Sequence, residues 1–353
     1  MNLYGDFYSP VPIKSYGRFA MFSQGSRSIG KSTGWAISLL SDYVNNGYQW
    51  IYTRRTADET QLTAPTYFDN AINIMLDNGI KIEDYKYNGG RYYVNGKIAG
   101  YAVPLSLQQK YKSADFSGVH NILYDEFMIM PGSSARYLGG QTNPLAEVDA
   151  MASLYQTVDR GRGRAARNET QLIFIGNAGS FYNPFYIAYG IDRYLRPDTK
   201  YLAPKNDFYV VEMTDEIEAT RHIKQSNGYK LSTERTRAYA YENKFADTLT
   251  GECFIIPKAK GRREPLLNIW YEGQCYGLYM YEGEGYLYLS HEPALGRLEY
   301  ALTLDDHRPN YIMIAQERNH PTFRMIREMY DKGCLRFQDF KCKMVIDFFL
   351  KYQ

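Results

Sequence analysis

The sequence predicts an α/β fold built on a mainly parallel sheet, and three observations predict it. Arg18 to Ser23 is a short, mostly apolar run followed by a glycine-rich turn, after which Ser32 to Leu40 has the apolar spacing of a buried helix. Further apolar runs at Tyr48 to Thr53, Val119 to Tyr124 and Gln171 to Gly176 are separated by helical segments, the alternation that parallel strands with crossovers require. The composition is that of a globular protein, with 44% hydrophobic and 23% charged residues.

The turn after the first strand is the most informative element. Gly25-Ser26-Arg27-Ser28-Ile29-Gly30-Lys31-Ser32 matches G-x-x-x-x-G-K-[ST] at every fixed position. Gly25 and Gly30 let successive backbone N–H groups face inward, and the helix that begins there adds its positive N-terminal end to the anion nest. Lys31 is placed to reach β- and γ-phosphates, and the Ser32 hydroxyl to ligate Mg²⁺. Gly25 to Thr33 is therefore the predicted segment for binding a nucleoside triphosphate.

The second strand ends in the pair Arg54-Arg55, and a helix is predicted near Tyr67 to Asp77. Tyr85 to Leu105 carries the turn pairs Gly89-Gly90 and Asn95-Gly96 between alternating apolar residues, which predicts β-hairpins. The strand Val119 to Tyr124 runs into Asp125 and Glu126. Behind a phosphate loop, Asp125 suits Mg²⁺ held through water, and Glu126 suits a base that orients the water attacking the γ-phosphate. Without that loop, two acids at a strand end are an ordinary solvated terminus. A second carboxylate serves a hydrolase that cycles ATP more than a kinase or a switch.

Leu145 to Val158 has helical spacing, and the strand after it ends at Asn177. At the carboxyl end of a strand the Asn177 amide can contact a γ-phosphate or hold the attacking water, and it equally suits a plain turn. Between these elements Asp159 to Arg167 places Arg160, Arg162, Arg164 and Arg167 among small residues. An arginine finger for a neighbouring subunit, a loop on DNA phosphates and solvent-facing charge all fit that run.

Beyond Phe185 the pattern loosens. A short helix is expected over Asp215 to Gln225 and a linker starting at Asn227-Gly228. From about Phe254 the texture changes to short strands, at Cys253 to Ile256, Leu267 to Tyr271, Gly277 to Tyr281 and Tyr286 to Leu289, with a turn at Glu282 to Gly285. Helices near Pro321 to Lys332 and Phe340 to Lys351 complete an α+β unit. At 353 residues the chain is comfortable as two domains. The expected division is a nucleotide-binding domain over 1–197, a linker or lid over 198–228 and a C-terminal domain over 229–353.

Bulk properties narrow the classes. No stretch approaches the roughly 18 apolar residues of a membrane helix, and the first residues lack a basic-then-apolar leader, so a cytoplasmic location without secretion is expected. Cys253, Cys275, Cys334 and Cys342 match neither a zinc cluster nor a redox pair, and read as reduced thiols. A net charge of +2 confines any nucleic-acid contact to a local basic region. The 35 tyrosines suit half-buried strands as well as base stacking.

Taken with Trp50 to Arg55, Gly96 to Ser106, Tyr124-Asp125-Glu126-Phe127 and Gly176-Asn177-Ala178, the phosphate loop resembles that of the genome-packaging ATPases of small podoviruses of the Picovirinae type. That family belongs to the additional-strand, catalytic-glutamate class of P-loop ATPases, alongside large terminases and FtsK–HerA translocases. The resemblance covers roughly residues 15 to 190 and is motif-poor beyond.

The resemblance implies Lys31 and Ser32 as phosphate and Mg²⁺ ligands, Asp125 as the metal-organising acid and Glu126 as the catalytic glutamate. It implies Arg160 as a trans-acting finger, Lys112 as a second intersubunit basic residue, and Arg54 as a basic residue near nucleotide or interface. Asn177 matches the motif that couples hydrolysis to motion. The implied function is ATP-driven packaging of double-stranded DNA by a homo-oligomeric ring, a pentamer in relatives, at the portal of a procapsid in the host cytoplasm. Participation of a scaffold RNA is left open.

The resemblance also implies an RNase H-like C-terminal domain. Its candidate first strand, Asn268 to Gly273, lacks the expected Asp, and Asp305-Asp306 are adjacent rather than dispersed, so nuclease activity is not expected. Docking and DNA guiding remain for that domain, and Arg136 is a candidate channel contact. Two rival functions stay open: a small-molecule P-loop kinase, and a structural component gated by bound nucleotide.

Overall fold

Apolar runs buried on both faces line up as the parallel centre of a nine-stranded sheet, because helices cover such strands on either side. The computed structural model describes residues 3–129, 135–140, 143, 145–160, 169–177, 179, 183–192, 194–195, 200–205, 208–214, 224–233, 237, 254–317 and 319–351. The chain divides into two units: Met1–Met130 with Glu147–Ser180 and Leu195–Ala246, and Pro131–Ala146 with Phe181–Tyr194 and Asp247–Gln353.

The first unit starts with a short helix α1 (Val11–Lys14), then β1 (Ala20–Gly25), α2 (Lys31–Asn46) and β2 (Gln49–Thr53). Next come α3 (Ala57–Thr63), α4 (Asp69–Asp77) and the strands β3 (Tyr85–Asn88), β4 (Arg91–Val94) and β5 (Lys97–Ala102). A 3-10 segment over Leu105–Tyr111 leads to β6 (Val119–Asp125), α5 (Ala146–Val158), β7 (Gln171–Asn177), β8 (Tyr201–Leu202) and β9 (Tyr209–Thr214).

The strand order is β3-β4-β5-β2-β6-β7-β1-β9-β8. From β5 to β9 every neighbouring pair is parallel, while the β3–β4 hairpin and β8 run antiparallel at the two edges. Phe22 on β1 stacks on Phe174 of β7 at 4.3 Å between ring centroids, and Trp35, Trp50 and Tyr92 are fully buried. The α/β class with a mainly parallel sheet is thus realised.

Several element readings change. The first strand ends at Gly25, so the loop leaves the sheet at its first glycine. Within the stretch expected to be a linker, β9 lies beside β1 and pairs with it from Ala20↔Tyr209 to Gly25↔Thr214. Its apolar run is interrupted by Glu212, whose carboxylate is buried and accepts from Tyr8 Oη at 2.5 Å and Tyr201 Oη at 2.7 Å. Polar satisfaction from distant tyrosines is invisible in a local hydrophobic pattern.

Asn227-Gly228 opens a short helix, Asn227–Leu231, capped by Ser226 Oγ on the Tyr229 amide at 3.2 Å. The helix expected over Asp215 to Gln225 lies almost wholly outside the described residues.

In the second unit, after a short helix α6 (Pro184–Ala188), β10 (Glu264–Tyr271), β11 (Gln274–Tyr281) and β12 (Tyr286–Ser290) form an antiparallel meander. β13 (Glu299–Ala301) and β14 (Ile312–Met313) extend it in parallel beyond β10, and β15 (Leu335–Phe337) lies parallel to β12. Helices Pro321–Asp331 and Phe340–Lys351 fall where the apolar spacing places them. The strand expected over Cys253 to Ile256 is reduced, among the described residues, to an isolated bridge of Ile255 to Phe337.

The polar residues of this unit hold the backbone. Asn268 on β10 is buried and donates to the Ala294 carbonyl and Glu299 Oε1, both at 3.0 Å. Asp306 accepts from the amides of Glu272 and Gly273 at 3.1 and 2.8 Å, closing the turn after β10. The ligand-type atoms of His291, Asp339 and Cys342 lie within 4.8 Å of one another, but Asp339 is hydrogen-bonded to His291 Nε2 and accepts from the Cys342 amide, which is the work of a side-chain hydrogen bond and a helix start.

Candidate functional site

The loop between β1 and α2 is held in the form its sequence demands. Gly30 takes φ 88° as the N-cap of α2, and Ser28 takes φ 64°, both in the left-handed region. Gly25 sits so close to β9 that a Cβ there would lie 2.8 Å from Thr214 Cβ. The N-terminal segment braces the far side: the Tyr8 amide donates to the Ile29 carbonyl at 3.0 Å, and Tyr8 Oη accepts from Ser23 Oγ at 2.7 Å.

A cavity of about 570 Å³ opens over this loop. Arg27, Ser28, Gly30, Lys31, Ser32 and Thr33 line one side, and Asp125 and Glu126 at the end of β6 and Asn177 at the end of β7 line another. Residues distant in sequence converge there because β6, β7 and β1 are consecutive parallel neighbours, so their carboxyl ends lie along one edge of the sheet.

Lys31 is buried and folds back over its own loop. Nζ donates to the carbonyls of Gly25 at 2.9 Å and Ser26 at 2.6 Å, and lies 3.4 Å from Asn177 Oδ1. Burial lowers its pKa to about 7, against the pull of Asp125, Glu126 and Glu212. An ammonium so poorly solvated gains most from a polyanion brought next to it.

Asp125 is buried and accepts from Arg54 Nη1 at 2.9 Å and Tyr52 Oη at 3.3 Å. Burial pushes its carboxyl pKa up, while Arg54 pulls it down. Arg54 Nη2 also approaches Glu126 Oε2 at 3.9 Å. Arg54 thus lies between the two acids, where a cation entering at Asp125 must share the carboxylate with it. Ser32 and Asp125 supply hard oxygen donors of the kind Mg²⁺ prefers, and the cavity has room for the phosphates that complete its shell.

Glu126 has φ 54°, a conformation that costs a non-glycine residue about 1 kcal/mol or more. The strain turns its half-exposed carboxylate into the cavity and is held by the backbone around it. Arg55 Nη2 donates to the carbonyls of Phe127 at 2.8 Å and Glu126 at 3.4 Å, and Nε donates to Glu147 Oε2 at 2.9 Å. Glu147 in turn accepts from Tyr124 Oη at 2.5 Å.

Arg160 and Lys112 are exposed and lie outside the lining of the cavity, joined to each other by Arg160 Nη1 on the Lys112 carbonyl at 3.2 Å. Arg162, Arg164 and Arg167 lie outside the described residues. Arg136 is described, with Nη1 donating to the Ala135 carbonyl at 2.8 Å.

Sequence reasoning missed part of this site. Asn70, Asn73, Ile74 and Asp77 line the cavity from α4, and Phe7 lines it from the N-terminal segment. The signal was present in α4, whose polar residues recur at helical spacing opposite the buried Ala71, Ile72 and Met75. Nothing local distinguishes Arg55 and Glu147, which need the tertiary fold to meet.

Residues 4–353 match the family model described as podovirus DNA encapsidation protein (Gp16). The chain is 27% identical over 336 residues to the DNA packaging protein of Bacillus phage phi29, covering 94% of this chain and 93% of that protein. It is similar to a chain of the bacteriophage phi29 viral genome packaging motor assembly, with 25% identity, a TM-score of 0.54 and coverage of 98% and 99% of the two chains. The N-terminal domain of the DNA packaging ATPase from phage phi29 is similar at 28% identity and a TM-score of 0.50, over 60% of this chain and 98% of that domain. The chain belongs to the podovirus DNA encapsidation protein (Gp16) family.

Proposed function

We propose that this protein is an ATP-driven double-stranded DNA translocase that packages a viral genome into its procapsid as a ring, with hydrolysis completed by an arginine from the neighbouring subunit. The observation that carries the reading is the convergence of Lys31, Asp125, Glu126 and Asn177 on one cavity while Arg160 and Lys112 face outward together.

In this reading the loop amides and Lys31 hold the β- and γ-phosphates of ATP. Ser32, and Asp125 through water, would hold Mg²⁺, which would supply positive charge against the phosphates. Glu126 accepts a proton from the attacking water, and Arg54 keeps the two acids apart until the site is loaded. Arg160 of one subunit, with Lys112 beside it, reaches the γ-phosphate held by the next and stabilises the charge that develops there. Asn177, near Lys31 Nζ, registers the presence of the γ-phosphate and passes it to loops that grip DNA.

The C-terminal domain over 229–353 takes the roles of docking and guiding DNA, and Arg136, soon after the acids, is a separate channel contact. The assembly is a homo-oligomeric ring, of five subunits by analogy with relatives, seated on the portal of the procapsid in the host cytoplasm, with or without a scaffold RNA. Among the described residues no helix is long and apolar enough to cross a membrane.

Steady-state ATP hydrolysis with and without duplex DNA tests the reading. A motor shows turnover that rises with duplex DNA. A kinase shows phosphoryl transfer to a small acceptor and indifference to DNA. Negligible turnover in an assembled ring overturns the motor reading in favour of a nucleotide-gated structural part.

A further inference from the structure

The buried guanidinium of Arg55 stands at the junction of two struts. One strut is the 3-10 segment Leu105–Tyr111. The amides of Leu105 and Ser106 donate to the carbonyls of Arg54 and Arg55 at 2.9 and 3.0 Å, and Lys112 caps the far end. The other strut is α5. Glu147 in its first turn accepts from Arg55 Nε at 2.9 Å, and Arg160 follows its last turn after Asp159. A helix of this length spans about 20 Å, so one rigid element carries Arg55's partner at one end and the exposed Arg160 at the other.

The struts are tied together twice. Ser153 Oγ donates to Gln108 Oε1 at 2.9 Å midway, and Arg160 Nη1 donates to the Lys112 carbonyl at 3.2 Å at the exposed end. At the inner end Arg55 grips the Glu126 and Phe127 carbonyls. The backbone it grips is the strained one, with Glu126 at φ 54°, a conformation that persists only while its surroundings hold it.

We propose that Arg55 is a positioning residue that carries movement of the Arg160–Lys112 face, when a neighbouring subunit engages it, to the backbone of Glu126 in the same subunit. The planar fork of arginine suits this, since one guanidinium bonds Glu147 on the strut and the carbonyls beside the reacting carboxylate simultaneously. A subunit that has reached its neighbour's nucleotide thereby resets its own Glu126, which orders firing around a ring. The proposal rests on the reading of Glu126 as the water-polarising acid and Arg160 as the residue acting in trans.

Arg55→Lys in the full-length protein tests it, because lysine keeps a charge beside Glu147 and loses the fork. The expected kcat for ATP falls about 10- to 100-fold while KM stays within about twofold. Amide exchange across residues 124–129, slowed by assembly in the wild type, no longer responds to assembly in the variant, while residues 25–32 keep their protection by a non-hydrolysable ATP analogue. A variant whose exchange at 124–129 still responds to assembly overturns the proposal, as does a wild type that shows no such response. Should Arg55→Lys fail to fold, Ser153→Ala removes the midway tie between the struts and leaves the one at Arg160. A diminished assembly response there supports the coupling, and an undiminished one overturns it. Mixing Arg160→Ala with Glu126→Gln subunits examines the trans assignment separately. Failed complementation indicts the finger, and an unchanged exchange pattern in complementing protein indicts the coupling.

Discussion

Arg160 donates through Nη1 to the main-chain carbonyl of Lys112 at 3.2 Å, joining residues 48 apart in sequence on an exposed corner outside the nucleotide cavity. One subunit's cavity is therefore lined without either residue, which is the arrangement a trans-acting pair requires. Arg160→Ala is expected to abolish hydrolysis in a uniform ring and to recover part of it when mixed with Glu126→Gln subunits. Each variant supplies what the other lacks at a mixed boundary. Hydrolysis measured across mixing ratios checks this, and its absence at every ratio shifts the finger to another arginine of the run.

Glu126→Gln is expected to leave ATP affinity within about twofold and to lower kcat by about a thousandfold. Glutamine keeps the size and reach of the side chain but does not accept the proton, and Lys31 and the loop amides, which we propose hold the phosphates, are untouched. Binding followed by titration and turnover by phosphate release separate the two effects. Lost binding identifies Glu126 as a structural acid instead.

What was legible in the sequence is what a short stretch of chain determines by itself. Gly25 to Ser32 carries its motif in its spacing, and Asp125-Glu126 follows its strand directly, so the sequence places both at the strand ends where the structure has them. What was missed depends on meetings across the fold. β9 contains Glu212, a carboxylate that two tyrosines, Tyr8 and Tyr201, make acceptable in a fully buried strand. Arg55 looks like the twin of Arg54, yet one reaches Asp125 and the other Glu147, because β2 ends at Thr53 and the chain bends at Arg55.

Gly34→Ala sets two effects of opposite sign against each other. In a helix interior alanine is favoured over glycine by about 1 kcal/mol. Here a Cβ would lie 2.4 Å from the Tyr8 carbonyl oxygen, a backbone atom that cannot swing aside, and overpacking of that kind costs about 1–3 kcal/mol. The expected net result is a loss of about 1 kcal/mol, read as a lower Tm. Displacing Tyr8 also loosens its bond to Ile29, so ATP binding weakens in the same variant. A higher Tm with unchanged binding would show that the N-terminal segment does not pack on α2.

Lys31 gives the nucleotide step a pH dependence whose sign follows from its surroundings. Burial lowers its pKa to about 7 in the nucleotide-free protein, so above pH 7 the amine is largely neutral. Phosphates placed beside it favour the charged form and raise that pKa, so binding above pH 7 takes up a proton. Affinity is therefore expected to weaken as pH rises past 7, by up to about tenfold per unit until the pKa of the bound state is reached. The nucleotide itself is fully ionised at pH 8, which isolates the contribution of the protein. Calorimetric titrations at pH 8 in two buffers of different ionisation enthalpy should report an uptake approaching one proton per ATP bound. Zero uptake would mean that Lys31 is already charged before the phosphates arrive, and that the loop carbonyls of Gly25 and Ser26 hold an ammonium rather than an amine.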